Sequence, residues 1–360
     1  MKLVITVDTE ADNQWDYHGT VSLANLHCLP RFQALCERFG FIATYLLASE
    51  VLQDRVAVQR LKGWQDEGVA EVGAHLEPWT TPPFMALERE NPALQLFPSL
   101  LPVSWFERKL HTLTEGITES FGRAPRSFRA ARWGLGASMV GALARQGYLV
   151  DCSVTPKTSW AGTQNGPFSE GPDYRRAPVK PYRLSGADVC RPGDSELLEV
   201  PMTVLYTGPF TVEGSRAARW FTLLPETPLK RLLDRAVFRT KWLRISPESR
   251  RGDWRAIHHA ASRSGLEVLE FMIHSSELMP GGSPLTPTQR DAETVFRRLE
   301  EMLGDYRALG VESCTLGELA DELKGPGDRG QGSGKKIDQA VRREGEQVGV
   351  QANAMKMAKS

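Results

Sequence analysis

Each of two short stretches contains a pair of polar side chains two residues apart: two acids in the first, and a histidine and an acid in the second. "TVDTEAD" puts Asp8 and Glu10 at the end of an apolar run, and "EVGAHLEPW" puts His75 and Glu77 at the end of another. Because side chains two apart on a strand point to the same face, each pair can share one site. One imidazole and three carboxylates form a reasonable ligand set for a divalent metal with an open position. Asp12 would join them if the first strand continued.

Two arginines and a second histidine follow later strand-like runs. In "RSFRAARWGLG", Arg129 and Arg132 would be costly to bury unless they met anions. An arginine beside Asp8 would hold that carboxylate ionised, as a general base requires. In "FMIHSSELMPGG", His274 ends an apolar run before a Gly-rich turn. It could act as a general acid or stabilise developing charge.

Motifs for several other chemistries are absent from the sequence. There is no GxGxxG after a strand, no GxxxxGK[ST], no HExxH and no GxSxG, so dinucleotide, P-loop, zincin and serine-hydrolase interpretations lack their parts. Lys plus Arg and Asp plus Glu number 44 each, which gives no reason to expect a nucleic-acid partner. Hydrolysis by a metal-activated water is the interpretation that remains.

Cysteine usage and the first residues favour a cytoplasmic protein. The chain has five cysteines, an odd number, and none of them is spaced as CxxC. This pattern is more typical of a protein in a reducing compartment than of one held by disulfides. The opening "MKLVITVDTEAD" is too short an apolar run for a secretory signal or a membrane span. We expect it to be the first β-strand.

Strand-like and helix-like segments alternate along most of the chain. "LPRFQALCERFGF" has apolar residues at helical spacing, and Gly40 then precedes the strand-like "FIATYLLA". The same alternation predicts an α/β fold with a parallel sheet and, with about seven strands, a closed or nearly closed barrel over residues 1–324. A doubly wound open sheet is the alternative. A late helix is predicted to begin with Thr286 as its cap and Pro287 at its first position.

Residues 205–262 interrupt this rhythm and predict a helical insertion. Thr227 and Pro228 begin a helix with one apolar stripe, formed by Leu229, Leu232, Leu233, Ala236 and Val237, and with basic residues off that stripe. The stripe either packs on the barrel and leaves a solvated basic face, or residues 228–242 form a surface that contacts acidic glycan or lipid head groups. Residues 325–360 contain few large apolar side chains and predict a flexible tail.

Six motifs in order resemble those of polysaccharide deacetylases of carbohydrate esterase family 4, which have the NodB homology fold. They are "TVDTEAD", "EVGAHLEPWTTPP", "FRAARWGLG", "DCSVTP", "LEVPMT" and "MIHSSELMPGGSPLT". The sequence looks most similar to the WalW-like branch associated with lipopolysaccharide biosynthesis. The resemblance covers about residues 1–323, and it implies a distorted barrel and a divalent metal, usually zinc.

The resemblance also implies roles for individual residues. Asp8 matches the catalytic base, Glu10 an acidic metal ligand and His75 the first metal-binding histidine. Arg129 matches the arginine that orients the base, and His274 matches the histidine that protonates the leaving amine. The predicted substrate-binding residues are Trp79, Arg132 and Trp133.

Two departures from the family pattern concern the metal. Members with HxxxH spacing have a second histidine where this chain has Trp79, and the closer branch often reads HLHPW, where this chain has Glu77. With Glu10 and Glu77 as ligands, the site has one nitrogen and two oxygen donors, which is a harder ligand set than one with two histidines. Such a set can bind manganese or magnesium as well as zinc, or it can bind metal more weakly.

The predicted function is metal-dependent removal of N-acetyl groups from an amino sugar of a cell-surface or exo-polysaccharide, or of its precursor. Two alternatives stay open at this point. One is hydrolysis of another non-peptide C–N bond, because a fold does not settle the substrate. The other is a catalytically silent glycan-binding protein that has lost a metal ligand at Glu77.

Overall fold

A computed structural model describes residues 1–12, 21–85, 94, 97–161, 170–209 and 211–324; the predicted tail at 325–360 lies outside them. The chain divides into two compact units, Met1–Leu319 and Ala320–Ser360. The sheet and the candidate site belong to the first unit.

A curled, mostly parallel sheet forms the centre of the first unit. Its strands are β1 (Lys2–Thr9), β2 (Ala43–Leu47), β3 (Ala70–Leu76), β4 (Ser127–Ala130), β5 (Val150–Asp151), β8 (Tyr182–Arg183), β9 (Leu198–Glu199), β12 (Val268–His274) and β13 (Glu312–Ser313). The spatial order is β12-β1-β2-β3-β4-β5-β9-β8, and β13 also pairs with β1. Every pairing is parallel except that of β8 with β9. This half-barrel confirms the predicted distorted (β/α) barrel.

Helices surround the sheet, and most of them bury one apolar side. They are α1 (Leu29–Phe39), α2 (Arg55–Asp66), α3 (Val103–Phe121), α4 (Ala137–Arg145), α5 (Arg216–Leu223), α6 (Pro228–Leu233), α7 (Arg251–Arg263), α8 (Gln289–Ala308) and α9 (Leu316–Glu322). In α1, Leu29, Phe32 and Cys36 are buried, and Gly40 ends the helix with a φ of 73° that favours glycine. None of the described helices is both long and apolar enough to cross a membrane.

The start of α8 lies two residues later than predicted. Thr288 is the cap: its hydroxyl accepts from the Asp291 N–H at 3.3 Å, and the Asp291 carboxylate accepts from the Thr288 N–H at 3.1 Å. This reciprocal pair satisfies two backbone donors. Thr286 instead donates its hydroxyl to the Met279 carbonyl at 3.1 Å and belongs to the preceding turn.

Short 3₁₀-helical turns follow three of the strands at their carboxyl ends. They span Ser49–Gln53 after β2, Ala131–Trp133 after β4 and Ser275–Leu278 after β12. These ends meet at one edge of a parallel sheet, which is where α/β barrels place their sites.

The predicted insertion at 205–262 consists of two parts. Its first part contains α5, α6, the antiparallel pair β10 (Val204–Tyr206) and β11 (Thr240–Trp242), and a π-helical turn at Asp234–Phe238. It has a small apolar cluster of its own, which contains Tyr206, Ala218, Phe221 and Phe238. The second part is α7, whose Trp254 joins the main core. A further antiparallel pair, β6 (Ser159–Ala161) and β7 (Glu170–Asp173), lies outside the main sheet.

Of the two alternatives for the apolar stripe of α6, packing on the barrel does not agree with the structure. Leu229 and Leu232 are 64% and 63% exposed, whereas Lys230 is 8% exposed. The Lys230 ammonium donates to the Leu224 carbonyl at 2.9 Å and lies 5.6 Å from the centre of the Phe221 ring. The helix therefore turns the stem of a lysine inwards and its leucines outwards.

Gly73 of β3 lies where a larger residue would collide with its neighbours. A Cβ atom there would lie 2.6 Å from Leu46 Cδ2 and 2.7 Å from the Ser127 carbonyl oxygen. We expect Gly73→Ala to lower the free energy of unfolding by about 1–3 kcal/mol, measured by urea denaturation. Gly63→Ala in α2 is the control, because a Cβ there meets open space; it should be neutral or stabilising. Equal effects of the two changes would contradict the packing of β3.

Candidate active site

The candidate site lies where four strands end. In the sheet register Asp8 of β1 pairs with His274 of β12, and His75 of β3 pairs with Arg129 of β4. Each of these strands carries its polar residue at or near its carboxyl end. The parallel sheet therefore brings together four of the residues that the sequence singles out.

The guanidinium of Arg129 crosses the interior and holds two carboxylates. Its Nη1 donates to Asp8 Oδ1 at 2.6 Å, and its Nη2 donates to Glu270 Oε1 at 2.6 Å and to the Thr6 hydroxyl at 2.9 Å. Its Nε donates to the Cys152 carbonyl at 3.1 Å. Arg129 is 1% exposed, so these charge-assisted bonds operate away from water. The structure thus satisfies the requirement that a buried Arg129 meet anions.

The same contacts determine the charge of Asp8. Burial alone would raise the pKa of this carboxyl, but the charges of Arg129, His75 and His274 and the hydrogen bond from Arg129 lower it, and the net shift is downward. Asp8 is therefore a fixed carboxylate, as a general base must be.

Glu10, His75 and Glu77 form a compact group of donor atoms. His75 Nε2 lies 3.5 Å from Glu10 Oε2 and 3.9 Å from Glu77 Oε1, and one donor atom of each residue lies within 4.8 Å of the others. His75 Nδ1 lies 3.2 Å from the Arg129 carbonyl oxygen. Because a carbonyl only accepts, Nδ1 carries a proton, and Nε2 is the ring atom that faces the carboxylates and can ligate a cation in the neutral form of the ring.

Asp12 does not join this group, because β1 ends before it. Glu10, one residue beyond the strand, is held through its backbone: its N–H donates to Ser275 Oγ at 3.2 Å, and its carbonyl accepts from Asn25 Nδ2 at 2.9 Å. The Asp12 carboxylate instead accepts from the Asn25 N–H at 2.9 Å. The period of two thus extends to Glu10 and fails at the next step.

A further acid, Glu50, lies beside the group. It belongs to the turn after β2, is 4% exposed, and accepts from the Ala11 N–H at 3.1 Å. Burial raises the pKa of Glu50. Burial also raises the pKa of Glu77 well above its ordinary value, and the negative charges of Glu50 and Glu10 add to this. Glu50 was not predicted from the sequence; its signal is an acid three residues beyond the apolar run that forms β2.

His274 is held by a carboxylate on the side away from Asp8. Its Nδ1 lies 2.9 Å from Glu277 Oε1, which also accepts from the Arg244 guanidinium, and its Nε2 lies 3.9 Å from Asp8 Oδ2. Burial lowers the pKa of His274, but Glu277 and Glu10 outweigh this and the net shift is upward. Burial would raise the pKa of Glu277, yet Arg244 and His274 lower it to about 2. Glu277 is therefore an ionised partner that favours the imidazolium.

The three predicted substrate-binding residues do not lie in equivalent surroundings. The Arg132 guanidinium lies 5.5 Å from the centre of the Trp79 ring, and both residues are half-buried. Trp133 is 7% exposed; the Arg129 guanidinium lies 4.8 Å from its ring centre, and Trp242 meets its edge. Burial lowers the pKa of Arg132 to about 10. Trp79 and Arg132 therefore form a half-buried pair, whereas Trp133 contacts the Arg129 guanidinium.

The backbone near Arg132 and the backbone after Glu77 each have an unusual feature. Arg132 and Trp133 have φ angles of 54° and 61°, a left-handed conformation that bulky residues rarely adopt and that is often found at functional sites. The buried ammonium of Lys109 donates to the Pro78 and Thr81 carbonyls at 2.9 and 2.7 Å. Lys109 thus secures the segment after Glu77 from a helix remote in sequence.

Comparison with known proteins finds similarity of structure without similarity of sequence. No protein-family model matches the chain, and no curated protein sequence does. A structure provisionally named a polysaccharide deacetylase, from Mycobacterium smegmatis, is 16% identical, covers 89% of each chain and has a TM-score of 0.51. One provisionally named a glycoside hydrolase/deacetylase, from Parabacteroides distasonis, is 14% identical with a TM-score of 0.54, covering 89% of this chain and 70% of that one. The chain has the NodB-type fold.

The donor group fits a divalent cation. Tetrahedral ligands at about 2.0–2.2 Å from an ion lie roughly 3.3–3.6 Å apart; the separation of 3.5 Å falls in this range, and that of 3.9 Å is slightly longer. The clustered acids Glu10, Glu50 and Glu77 also call for a positive charge, because burial and mutual repulsion otherwise drive Glu77 towards its neutral form. One imidazole and two carboxylates suit zinc, and the two oxygens also suit manganese or magnesium.

Proposed function

We propose that this protein is a metal-dependent hydrolase that removes N-acetyl groups from an amino sugar of a cell-surface or exo-polysaccharide, or of its precursor. The observation that carries the proposal is the position of Asp8, whose Oδ1 is fixed by Arg129 at 2.6 Å and whose Oδ2 lies 3.9 Å from His274 Nε2. Glu10, His75 and Glu77 would hold the cation.

The fold and the motifs support a glycan as the substrate. Both structures compared above carry provisional names that refer to deacetylation of polysaccharides or to glycoside hydrolysis. The closer resemblance to the WalW-like branch directs the proposal towards a lipopolysaccharide-type substrate. Residues 1–324 are the proposed catalytic domain, with the insertion at 205–262, and residues 325–360 the proposed tail.

The residues of the chain divide the reaction between a base and an acid. A divalent cation, when bound, supplies polarisation of the amide carbonyl and acidification of water. Asp8 Oδ1 is occupied by Arg129, so Oδ2 accepts the proton of the water that attacks the carbonyl carbon. When the C–N bond breaks, its electron pair goes to nitrogen, and His274 Nε2 gives that nitrogen a proton. The products are acetate and the free amino sugar.

Acetate release from an N-acetylated chito-oligosaccharide tests the proposal. We expect the wild type to release acetate with zinc or manganese, and Asp8→Asn to lower kcat by about 10²–10⁴-fold because the general base is lost. The matched control is Asp54→Asn, because Asp54 caps α2 and asparagine caps equally well; its rate should be unchanged. Sugar binding without acetate release would favour the silent glycan-binding alternative, and a different released acid would favour another C–N bond.

The partner of His274 predicts a change in pH dependence. A general acid works when protonated, so activity should fall as pH rises through the pKa of His274, which Glu277 raises. We expect Glu277→Gln to lower that pKa and to move the alkaline limb of the kcat profile to lower pH. Glu248→Gln, at an exposed position, is the control. A reduced kcat with an unshifted limb would mean that Glu277 has only a structural role.

A further inference from the structure

The outward side of the first part of the insertion is unusually apolar. Of the thirteen exposed large apolar side chains among the described residues, six lie between residues 212 and 237, so they are concentrated in one segment. Four of them are more than 45% exposed: Val212, Trp220, Leu229 and Leu232. A concentration of this kind marks an interaction surface, whereas single exposed apolar residues do not.

Helices α5 and α6, which carry most of these exposed residues, both pack on the same small apolar cluster. Phe221 of α5 and the flanking Leu224 and Leu233 pack on one small apolar cluster. Lys230 of α6 joins the helices, because its ammonium donates to the Leu224 carbonyl at 2.9 Å. The inward sides are thus satisfied within the segment, and the outward sides, which carry the tryptophan and the leucines, are not used by the fold.

Arginines accompany the apolar residues on the same side. In α5, Arg216, Arg219, Trp220 and Leu223 are all exposed, and their positions fall within about 100° of one another at 3.6 residues per turn. Arg231, in α6, is also exposed.

The acids of the segment have partners of their own. Residues 212–237 contain five basic and three acidic residues, a net charge of +2. Glu213 pairs with Lys157 at 3.2 Å, Glu226 with Lys230 at 2.5 Å, and the Asp234 carboxylate accepts from the Thr240 N–H at 3.0 Å. The exposed charge is therefore mainly that of arginine.

A basic cleft continues from the same helix. Arg219 and Leu223 line a cleft of about 700 Å³, whose lining also includes Arg175, Arg176 and Lys180. Such a cleft can hold the phosphate of a head group beside an apolar rim.

We propose that residues 212–237 dock on an anionic lipid bilayer, and we call them the docking segment. Tryptophan at the interface, leucines in the outer acyl region and arginines at the phosphates are the arrangement of helices that lie on a membrane. Arginine and tryptophan are also common at protein interfaces; the excess of positive charge and the adjoining basic cleft are what favour an anionic lipid surface as the partner. The inference concerns location and does not depend on the proposed reaction.

Sedimentation of the full chain with lipid vesicles tests this inference. The vesicles contain phosphatidylcholine alone or phosphatidylcholine mixed with phosphatidylglycerol. The wild type should bind the mixed vesicles and lose binding at high salt. Leu229→Ser with Leu232→Ser should weaken partitioning by at least about tenfold. Arg216→Gln with Arg219→Gln should weaken binding to the vesicles that contain phosphatidylglycerol by about fivefold for each arginine. This double change should have no effect with vesicles of phosphatidylcholine only.

The control is Val56→Ser with Leu309→Ser, which removes two apolar residues that are 57% and 49% exposed elsewhere. It should bind like the wild type. Failure of the wild type to bind the mixed vesicles at low salt would overturn the proposal, as would equal binding by the leucine variant. A dimer in light scattering that the leucine variant dissociates, without vesicle binding, would assign the docking segment to a second copy of the chain and also overturn it.

Discussion

The site depends on one buried guanidinium. Arg129 extends from β4 across the interior to Asp8 of β1 and Glu270 of β12, strands that lie on the other side of β2 and β3 in the sheet order. The interaction therefore ties the curled sheet together where the site forms. Removing the guanidinium would leave two carboxylates uncompensated in a buried place, which is far more costly than losing a surface ion pair. The same guanidinium thus orients the Asp8 carboxylate and spans the curled sheet.

The buried acids around His75 form a second concentration of charge, distinct from the pair of Asp8 and Arg129. Glu10, Glu50 and Glu77 come together near His75, and burial raises the pKa of Glu77 and that of Glu50. Here the chain gathers acids that a divalent cation would balance, whereas beside Asp8 it supplies the balancing charge itself. The contrast is the reason that we propose Asp8 for proton transfer and the other acids for ligation. Glu77, which replaces a histidine of the resembling family, keeps a donor atom 3.9 Å from His75 Nε2.

Sequence patterns predicted the parts of the site that depend on local geometry. The period of two placed Asp8 with Glu10 and His75 with Glu77, and strand alternation predicted the barrel. Glu270 and Glu277 were missed because their partners, Arg129 and Arg244, are remote in sequence. The stripe of α6 left two alternatives open for a related reason. An amphipathic pattern shows that one side of a helix is apolar, but it does not show whether the protein itself covers that side.

Metal content is the measurement that tests the central claim most directly. Elemental analysis would be made on the full chain purified without chelators, for the wild type, His75→Ala and Glu77→Ala. The controls are His111→Ala and Glu115→Ala, from an exposed pair 3.2 Å apart on α3. The account predicts about one divalent ion per chain in the wild type and both controls, and loss of the ion in the other two variants. A wild type without metal, even after incubation with zinc or manganese, would contradict it.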